Sequence, residues 1–105
     1  PLHLIEIKNV TLAEDGVALF PDAVTTRGQK HLDEMMELME KGFSCEMVYV
    51  VQRQDCEIFK TADDIDPDYA QKLRDAKKAG LKVTPIVCEL TDKEVKATHQ
   101  ILPYA

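Results

Sequence analysis

Long hydrophobic runs are missing from this chain of 105 residues, because no apolar stretch approaches the ~20 residues of a membrane-spanning helix. No signal-peptide pattern precedes the first predicted strand either. The three cysteines are odd in number and form neither a CxxC pair nor a zinc-type cluster with histidines; they are Cys45, Cys56 and Cys88. The sequence therefore predicts a protein of the reducing cytoplasm that has no membrane contact.

An excess of positive charge is missing as well. The chain has 13 Lys and Arg against 19 Asp and Glu, which gives a net charge of −6. Strong nonspecific binding to nucleic acid normally needs a basic footprint, so this chain alone is not expected to be a strong nucleic-acid binder. Its length allows one domain with a modest core. Because it starts at Pro1 rather than Met, we expect a fragment or a chain without its initiator Met.

The stretch from Leu4 to Thr11 carries the first chemical signal. Apolar residues mark a strand, in which side chains alternate between the two faces. Glu6 and Lys8 therefore share one face, and Ile5 and Ile7 share the other. One interpretation is a solvated outer face of an antiparallel strand with a weak ion pair. The other is half of a metal-dependent phosphodiesterase site, where Glu6 holds Mg²⁺ and Lys8 stabilises charge on water or phosphate.

The rest of the chain predicts an α/β fold with a mixed β-sheet and flanking helices. Asp15-Gly16 predicts a hairpin whose second strand, 17–20, pairs antiparallel with the first strand. Two helices follow, one capped by Thr26 with Gln29 and ending near Lys41, the other starting at Asp66-Pro67 and ending near Ala79. The apolar stripe of the first helix, predicted to be buried against the sheet, comprises Leu32, Met35, Met36 and Met39.

Two further strands are predicted between and after the helices. The run 45–51 is nearly continuous apolar, which is typical of a central strand covered on both faces. Residues 54–64 are predicted to form a loop. The run 81–90 is a strand in which Pro85 indicates an edge or a bulge. A turn at Asp92-Lys93 and a short strand or tail complete the chain.

Several cationic side chains are candidates for phosphate binding. Arg27, Lys30 and His31 gather near the N-terminal end of the first helix, where the helix dipole already favours anions. Arg53 follows the central strand at its C-terminal end, the usual side for ligands in α/β sheets. From the residues alone, solvated surface side chains are the simpler interpretation.

Three sequence runs together are more specific than Glu-x-Lys. In this order and spacing the chain resembles the C-terminal half of the sugar fermentation stimulation protein A family; the runs are Ile5-Glu6-Ile7-Lys8-Asn9-Val10-Thr11-Leu12, Phe20-Pro21-Asp22-Ala23-Val24-Thr25, and Arg27-Gly28 with Lys30-His31-Leu32. The runs 50–53 and 65–67 extend the resemblance through roughly residues 4 to 90.

The resemblance implies a restriction-endonuclease-like (PD-(D/E)XK) fold, of which residues 1–105 would be the C-terminal part. It implies that Glu6 and Lys8 match the catalytic (D/E)-x-K and that Mg²⁺ would be bound by Glu6 and the backbone carbonyl of Ile7. The resemblance places Arg27 and Lys30 at the site as phosphate or DNA contacts, and Arg53 is added to them from its position at the end of the central strand. Family members are usually described as DNA-binding regulators of sugar, notably maltose, metabolism, with an N-terminal OB-like half.

Pro21-Asp22 follows Glu6, so it does not match the metal-binding Asp of the superfamily, which precedes the (D/E)-x-K. The counterpart is expected upstream of residue 1, together with the OB-like half. Three functions stay open: a DNA-binding module of a regulator, a Mg²⁺-dependent deoxyribonuclease, and a non-catalytic interaction domain, with self-association into a homo-oligomer also open. This chain alone is expected to bind DNA weakly and to be inactive as a nuclease.

Overall fold

The computed structural model describes residues 2–90 and 95–105. It is an α/β structure with two sheets and two helices, and no helix in these ranges is both long and apolar enough to cross a membrane. In chain order the elements are β1 (His3–Val10), β2 (Leu12–Glu14), β3 (Val17–Phe20), α1 (Thr26–Glu40), β4 (Ser44–Val51), β5 (Ile58–Thr61), α2 (Pro67–Lys78), β6 (Lys82–Leu90) and β7 (Val95–Ile101).

The larger sheet has the order β1-β4-β6-β7. β1, β4 and β6 run parallel, and β7 pairs antiparallel with β6, so the sheet is mixed as predicted. Pro85 lies within β6, which has neighbours on both sides, so the structure excludes the edge and leaves the bulge of the two predicted alternatives. A register shift between Ile86 and Cys88 does supply an irregularity just after the proline, because Pro85 cannot donate to a regular ladder.

The smaller sheet has the order β2-β3-β5. The predicted turn is confirmed, because Asp15 and Gly16 both have positive φ angles of 50° and 79° between β2 and β3. The predicted partner is wrong, however: β3 pairs antiparallel with β2, not with β1. Ala18 on β3 is fully buried in the core, which requires the hairpin to leave the first sheet after Val10 and fold over its inner face.

Residues 54–64 are not all loop, because Ile58–Thr61 forms β5 parallel to β3. Phe59 is fully buried and stacks on Tyr49 of β4, with ring centroids 4.5 Å apart. This strand exists because its partner is β3, far away in sequence. The Asp92-Lys93 turn lies outside the described residues.

α1 begins one residue earlier than predicted, because Thr25 and not Thr26 is the N-cap. The Thr25 hydroxyl accepts a hydrogen bond from Gly28 N (3.0 Å), while Gly42, with φ 94°, follows the helix end as predicted. Leu32 and Met35 are buried, but Met36 and Met39 are only half-buried. The buried stripe is narrower than predicted. One side of α1 packs against the sheet, and another side of α1 packs against α2.

α2 follows its sequence signals closely. Asp66 is the N-cap, Pro67 occupies the first turn, and Ala79 with Gly80 ends the helix. The inward face is fully buried, as predicted, and comprises Tyr69, Leu73 and Ala76. The hydroxyls of Tyr69 and Tyr49 hydrogen-bond to each other within the core.

Asp66 also ties the two helices together. Its carboxylate is almost fully buried and accepts hydrogen bonds from Tyr69 N (3.0 Å) and Thr25 N (2.9 Å), and from the Gln29 amide (3.0 Å). Burial by itself would raise the pKa of Asp66, but these hydrogen bonds outweigh it and hold the pKa below its ordinary value of 3.8. The carboxylate is thus stabilised in its charged form by the fold.

We expect Asp66→Asn to lower the free energy of unfolding by about 2 kcal/mol at pH 7, because both Asp66 oxygens face N–H donors and an amide must turn its own NH₂ toward one of them. A depressed pKa contributes stability that is complete above the unfolded value and is lost as the pH falls through the folded value. The difference between parent and variant should therefore shrink below pH ~4, as urea unfolding at several pH values would show.

The matched control is Asp68→Asn, because Asp68 is an exposed acid in the first turn of the same helix. Its unfolding free energy should stay within about 0.5 kcal/mol of the parent. A constant difference for Asp66→Asn from pH 7 to pH 3 would contradict the assigned role of the charge.

The core lies on one side of the larger sheet. The inner face of β4 is buried beneath both helices and the smaller sheet; it consists of Cys45, Met47, Tyr49 and Val51. The prediction that β4 is covered on both faces is wrong, because Glu46, Val48 and Val50 on its other face stay half-exposed. Within the described residues, the helices flank the sheet on a single side.

Candidate functional site

Glu6 and Lys8 lie together on the inner face of β1. Glu6 Oε1 is 3.6 Å from Lys8 Nζ, which confirms that the two side chains share one face of the strand. That face points toward α1, whereas Ile5 and Ile7 on the opposite face are 54% and 62% exposed. The polar pair is thus on the packed side of the strand and the isoleucines are on the open side, which rules out a solvated outer face for Glu6 and Lys8.

α1 adds His31 to this pair. His31 Nδ1 is 2.9 Å from Lys8 Nζ and 3.4 Å from Glu6 Oε1. We call these three residues, Glu6, Lys8 and His31, the β1–α1 cluster. Their side chains are 39%, 16% and 23% exposed, so the cluster is partly shielded yet open to a ligand at the Glu6 end.

The contact between Lys8 and His31 has one possible direction. A lysine ammonium can only donate, so Lys8 Nζ donates and His31 Nδ1 accepts. The same Nδ1 lies 3.4 Å from Glu6 Oε1, so the imidazole touches both charged side chains of the cluster.

The Ile7 carbonyl points toward the open edge of the sheet. Leu2 O accepts from Ser44 N and Val10 O accepts from Gln52 N, both at 3.2 Å across the β1–β4 pair. The backbone N–H and C=O groups of successive residues alternate between the two edges of a strand. The backbone groups of Glu6 therefore point toward β4, and those of Ile7 point away from it. Among the described strands β1 pairs only with β4, which leaves the Ile7 carbonyl accessible to a ligand.

Arg27 and Lys30 lie on the first turns of α1, the helix that carries His31. Arg27 and His31 are four residues apart and therefore neighbours on the helix surface, whereas Lys30, next to His31 in sequence, points in a different direction. Both cationic side chains are exposed. No hydrogen bond or ion pair among the described residues joins either side chain to Glu6, Lys8 or His31, so their role in phosphate binding stays a prediction.

Arg53 is in a different situation. It lies just after β4 and forms a bidentate ion pair with Asp55, with Nε–Oδ1 3.0 Å and Nη2–Oδ2 2.7 Å. The hydrogen bond and charge of Asp55 raise the pKa of Arg53, and Arg53 lowers that of Asp55. A phosphate would have to compete with this carboxylate, so Arg53 is a weaker candidate for phosphate binding than Arg27 or Lys30.

The oxygen ligands of this chain would fill only part of a divalent-metal site. Glu6 supplies one carboxylate and Ile7 one backbone carbonyl, and no group of three His, Cys, Asp or Glu in the described ranges is arranged to hold a metal. Mg²⁺ accepts such sparse protein ligation when waters and substrate phosphates complete its octahedron. The residues present therefore fit a metal shared with a ligand, not a closed structural site.

The sequence did not predict that His31 contacts Glu6 and Lys8. The available signal was its place on α1: His31 is three residues after Gly28 and four before Met35, both buried, so it flanks the packed stripe and not the solvent face. Packing is tight there, since a Cβ added at Gly28 would lie 2.9 Å from Thr25 Cγ2 and 3.1 Å from Tyr69 Cε2. This close approach fixes the start of α1 against Tyr69 of α2.

A mixed sheet with parallel central strands, and a Glu-x-Lys on one strand facing the next helix, define an α/β, restriction-endonuclease-like protein. Residues 1–94 match the family described as "Sugar fermentation stimulation protein RE domain". The chain belongs to this family, as the sequence runs around Glu6 and Arg27 indicated.

Curated relatives carry the same family name. A "Sugar fermentation stimulation protein homolog" from Bdellovibrio bacteriovorus is 56% identical over 102 residues, which are 97% of this chain and 42% of that protein. The homolog from Geotalea daltonii is 45% identical over 100 residues, 95% of this chain and 43% of that protein. The chain therefore spans less than half the length of these relatives.

A solved structure has the same fold. It is described as the structure of Pyrococcus furiosus SfsA in complex with Ca²⁺, and it superposes with a TM-score of 0.88 at 25% sequence identity. The match covers 96% of this chain and 44% of that one. Nearly all of this chain thus corresponds to less than half of a longer protein.

Proposed function

We propose that this chain is the C-terminal portion of a DNA-binding protein that contacts DNA phosphates around the β1–α1 cluster. The observation that supports this proposal is that Glu6, Lys8 and His31 lie within 3.6 Å of one another, on the packed face of β1 and with Glu6 accessible to solvent. Arg27 and Lys30, exposed on the same helix as His31, would add positive charge for a bound phosphate. In line with the family name, such binding would serve the regulation of sugar, notably maltose, metabolism.

A divalent cation would fit between the cluster and a phosphate. The Pyrococcus furiosus protein is described in complex with Ca²⁺, and by analogy we propose a divalent ion, Mg²⁺ in the cell, for this family member. Glu6 and the Ile7 carbonyl would supply two of its ligands, and the ion would neutralise charge on a bound phosphate. Lys8, held by His31, would keep its ammonium directed at the same oxygen atoms.

A second candidate is metal-dependent cleavage of DNA. The observation that favours it is Lys8 itself, whose ammonium lies 3.6 Å from the candidate metal carboxylate, a suitable place to stabilise charge that develops on phosphate or water. Fold alone does not establish chemistry. A third candidate, an interaction domain without nucleic acid, is favoured by the net charge of −6.

Salt dependence tests the DNA-binding proposal. We expect weak binding of a DNA duplex, measured by fluorescence anisotropy, that falls steeply between ~50 and ~500 mM salt because phosphate contacts release counterions. Arg27→Gln and Lys30→Gln should each reduce the log–log slope by about one unit. Addition of Mg²⁺ should strengthen binding in the parent but not in Glu6→Gln.

The matched control is Lys41→Gln, an exposed lysine at the opposite end of α1. It removes the same charge from the same helix, so an equal loss of slope would show only a net-charge effect. Binding that is independent of salt, or no binding by either this chain or a full-length relative, would reject the phosphate-contact proposal and favour the interaction domain.

A further inference from the structure

A groove lies between the last two turns of α2 and the chain segment that follows β7. Its volume is about 400 Å³, and the residues that line it are Arg74, Lys77, Lys78, Tyr104 and Ala105. We call it the α2–Tyr104 groove. Its wall is mostly apolar, because the tyrosine ring and the carbon chains of the three basic residues form most of it.

Backbone hydrogen bonds hold one wall of the groove in place. Phe59 N donates to Pro103 O (2.9 Å) and Ala105 N donates to Phe59 O (3.0 Å), so the segment after β7 pairs with β5 in a short parallel bridge. The rings of Tyr104 and Phe59 also pack against each other, with centroids 5.8 Å apart. The Tyr104 wall is therefore part of the folded structure, and a ligand meets a site that is already formed.

Three cations face this wall from α2. Arg74, Lys77 and Lys78 are spaced three and four residues apart, which puts them on one side of the helix. Lys77 Nζ lies 4.8 Å from the centre of the Tyr104 ring, so a cation–π contact holds it at the groove. Arg74 pairs with Asp63 (Nη1–Oδ2 3.0 Å), whereas no carboxylate of the described residues pairs with Lys77 or Lys78. The groove therefore has two ammonium groups available to an anion.

This concentration of positive charge needs an explanation beyond the stability of the helix. Cations in the last turn of a helix complement its dipole, which accounts for the sign of Lys77 and Lys78. Like charges three and four residues apart nevertheless repel each other, and Arg74 has this spacing to both lysines. The chain as a whole carries a net charge of −6, so the groove is a positive concavity on an acidic protein. A small anion complements such a site.

The Tyr104 hydroxyl gives an independent indication of a ligand. It is buried and has no hydrogen-bond partner among the described residues. Buried hydroxyl groups are nearly always hydrogen-bonded, so a hydroxyl that lacks a partner beside a groove points to a ligand there. Burial raises the pKa of Tyr104, and the charges of Arg74 and Asp63 also act on it, which places the hydroxyl near the arginine end of the groove.

We propose that the α2–Tyr104 groove binds a small phosphomonoester with an aromatic body, the chemistry of a nucleoside monophosphate. The two negative charges of its phosphate match the ammonium groups of Lys77 and Lys78, and the aromatic body covers the apolar wall beside Tyr104. A groove of about 400 Å³ is within the roughly 300–1,000 Å³ of small-molecule sites. Three cations confined to one concavity suit a small ligand better than a DNA duplex, whose phosphates extend along a surface.

The groove is independent of the proposed DNA binding. Asp66 at the start of α2 accepts a hydrogen bond from Thr25 N at the start of α1, so the two helices begin side by side. His31 is near that end, whereas the groove is at the other end of α2, about 18 Å from its start for a helix of 12 residues. A nucleotide in the groove therefore does not compete with a phosphate at the β1–α1 cluster.

Calorimetric titration with adenosine monophosphate tests the groove. We expect the 105-residue chain to bind this probe with a Kd below ~1 mM, and to bind adenosine or inorganic phosphate at least about tenfold more weakly, because each supplies only part of the contacts. Lys77→Gln and Lys78→Gln should each weaken the binding of adenosine monophosphate by about tenfold, since each removes one charge-assisted contact to the phosphate.

Lys41→Gln is the control, because Lys41 is an exposed lysine at the end of α1 that does not line the groove. This variant should bind adenosine monophosphate as the parent does, and an equal loss of affinity would overturn the inference as a net-charge effect. No binding at ~10 mM probe would also overturn it, as would binding that Arg27→Gln weakens more than Lys77→Gln does. A DNA affinity that Lys77→Gln lowers as much as Arg27→Gln would assign the groove to DNA and reject the small ligand.

Discussion

We expect Glu6→Gln to lower any metal-dependent DNA cleavage by about a thousandfold or more in a chain extended by the upstream part of a relative. Glutamine keeps the size of Glu6 and its ability to accept a hydrogen bond, but it removes the negative charge that would hold a divalent cation. Lys8→Ala should have a comparable effect, because it removes the ammonium 3.6 Å from that carboxylate. The assay is cleavage of a labelled DNA duplex with Mg²⁺ or Mn²⁺.

Two controls make this result specific. Glu37→Gln changes an exposed acid on α1 and should leave the cleavage rate unaltered. Circular dichroism should show that each variant is folded. The 105-residue chain alone should show no cleavage, since it supplies one side-chain carboxylate at this site.

The outcomes separate the candidate functions. Cleavage that survives Glu6→Gln would mean that the β1–α1 cluster is not the site. Cleavage that Glu6→Gln removes would place the nuclease candidate above the regulatory one. An extended chain that binds DNA and never cleaves it would leave the DNA-binding proposal in place and reject catalysis.

We expect Met35→Asp to destabilise the domain by about 4 kcal/mol or more, enough to unfold most of it at 25 °C. Met35 is only 6% exposed and packs in the core between α1 and the sheet, so a carboxylate there would lose its hydration without a partner. Urea unfolding followed by circular dichroism would measure the change.

Met36→Asp is the matched comparison at the next position of the helix. Met36 is half-buried beside Asp33, Lys72 and Asp75, where a carboxylate keeps part of its hydration. Its cost should be smaller than that of Met35→Asp by at least about 2 kcal/mol. Equal costs would show that the whole stripe is buried, as the sequence pattern alone suggested.

The parts of the fold that were predictable are those with local causes. α2 could be placed almost to the residue because Asp66, Pro67 and Gly80 act through short-range capping and backbone geometry. The turn at Asp15-Gly16 is equally local. β5 was missed because Ile58–Thr61 is short, and it becomes a strand only through pairing with β3.

The candidate site shows the same division. The alternation of side chains along β1 correctly placed Glu6 and Lys8 on the same face. Alternation alone does not determine which of the two faces of a strand is packed. That choice depends on α1, α2 and the smaller sheet, which all lie on the Glu6 side. His31 joins the site for the same reason, since its distance from Lys8 depends on how α1 docks against β1.

The tyrosines that folding shields from water have a consequence for alkaline solutions. Burial raises the pKa of Tyr49, Tyr69 and Tyr104, which are the three tyrosines of the chain, and the chain has no tryptophan. A phenol whose pKa is raised by folding ionises more readily in the unfolded chain, so stability falls as the pH rises above ~10. The ultraviolet absorbance of phenolate is therefore a built-in reporter of unfolding, and it should appear in one cooperative step with the loss of helix.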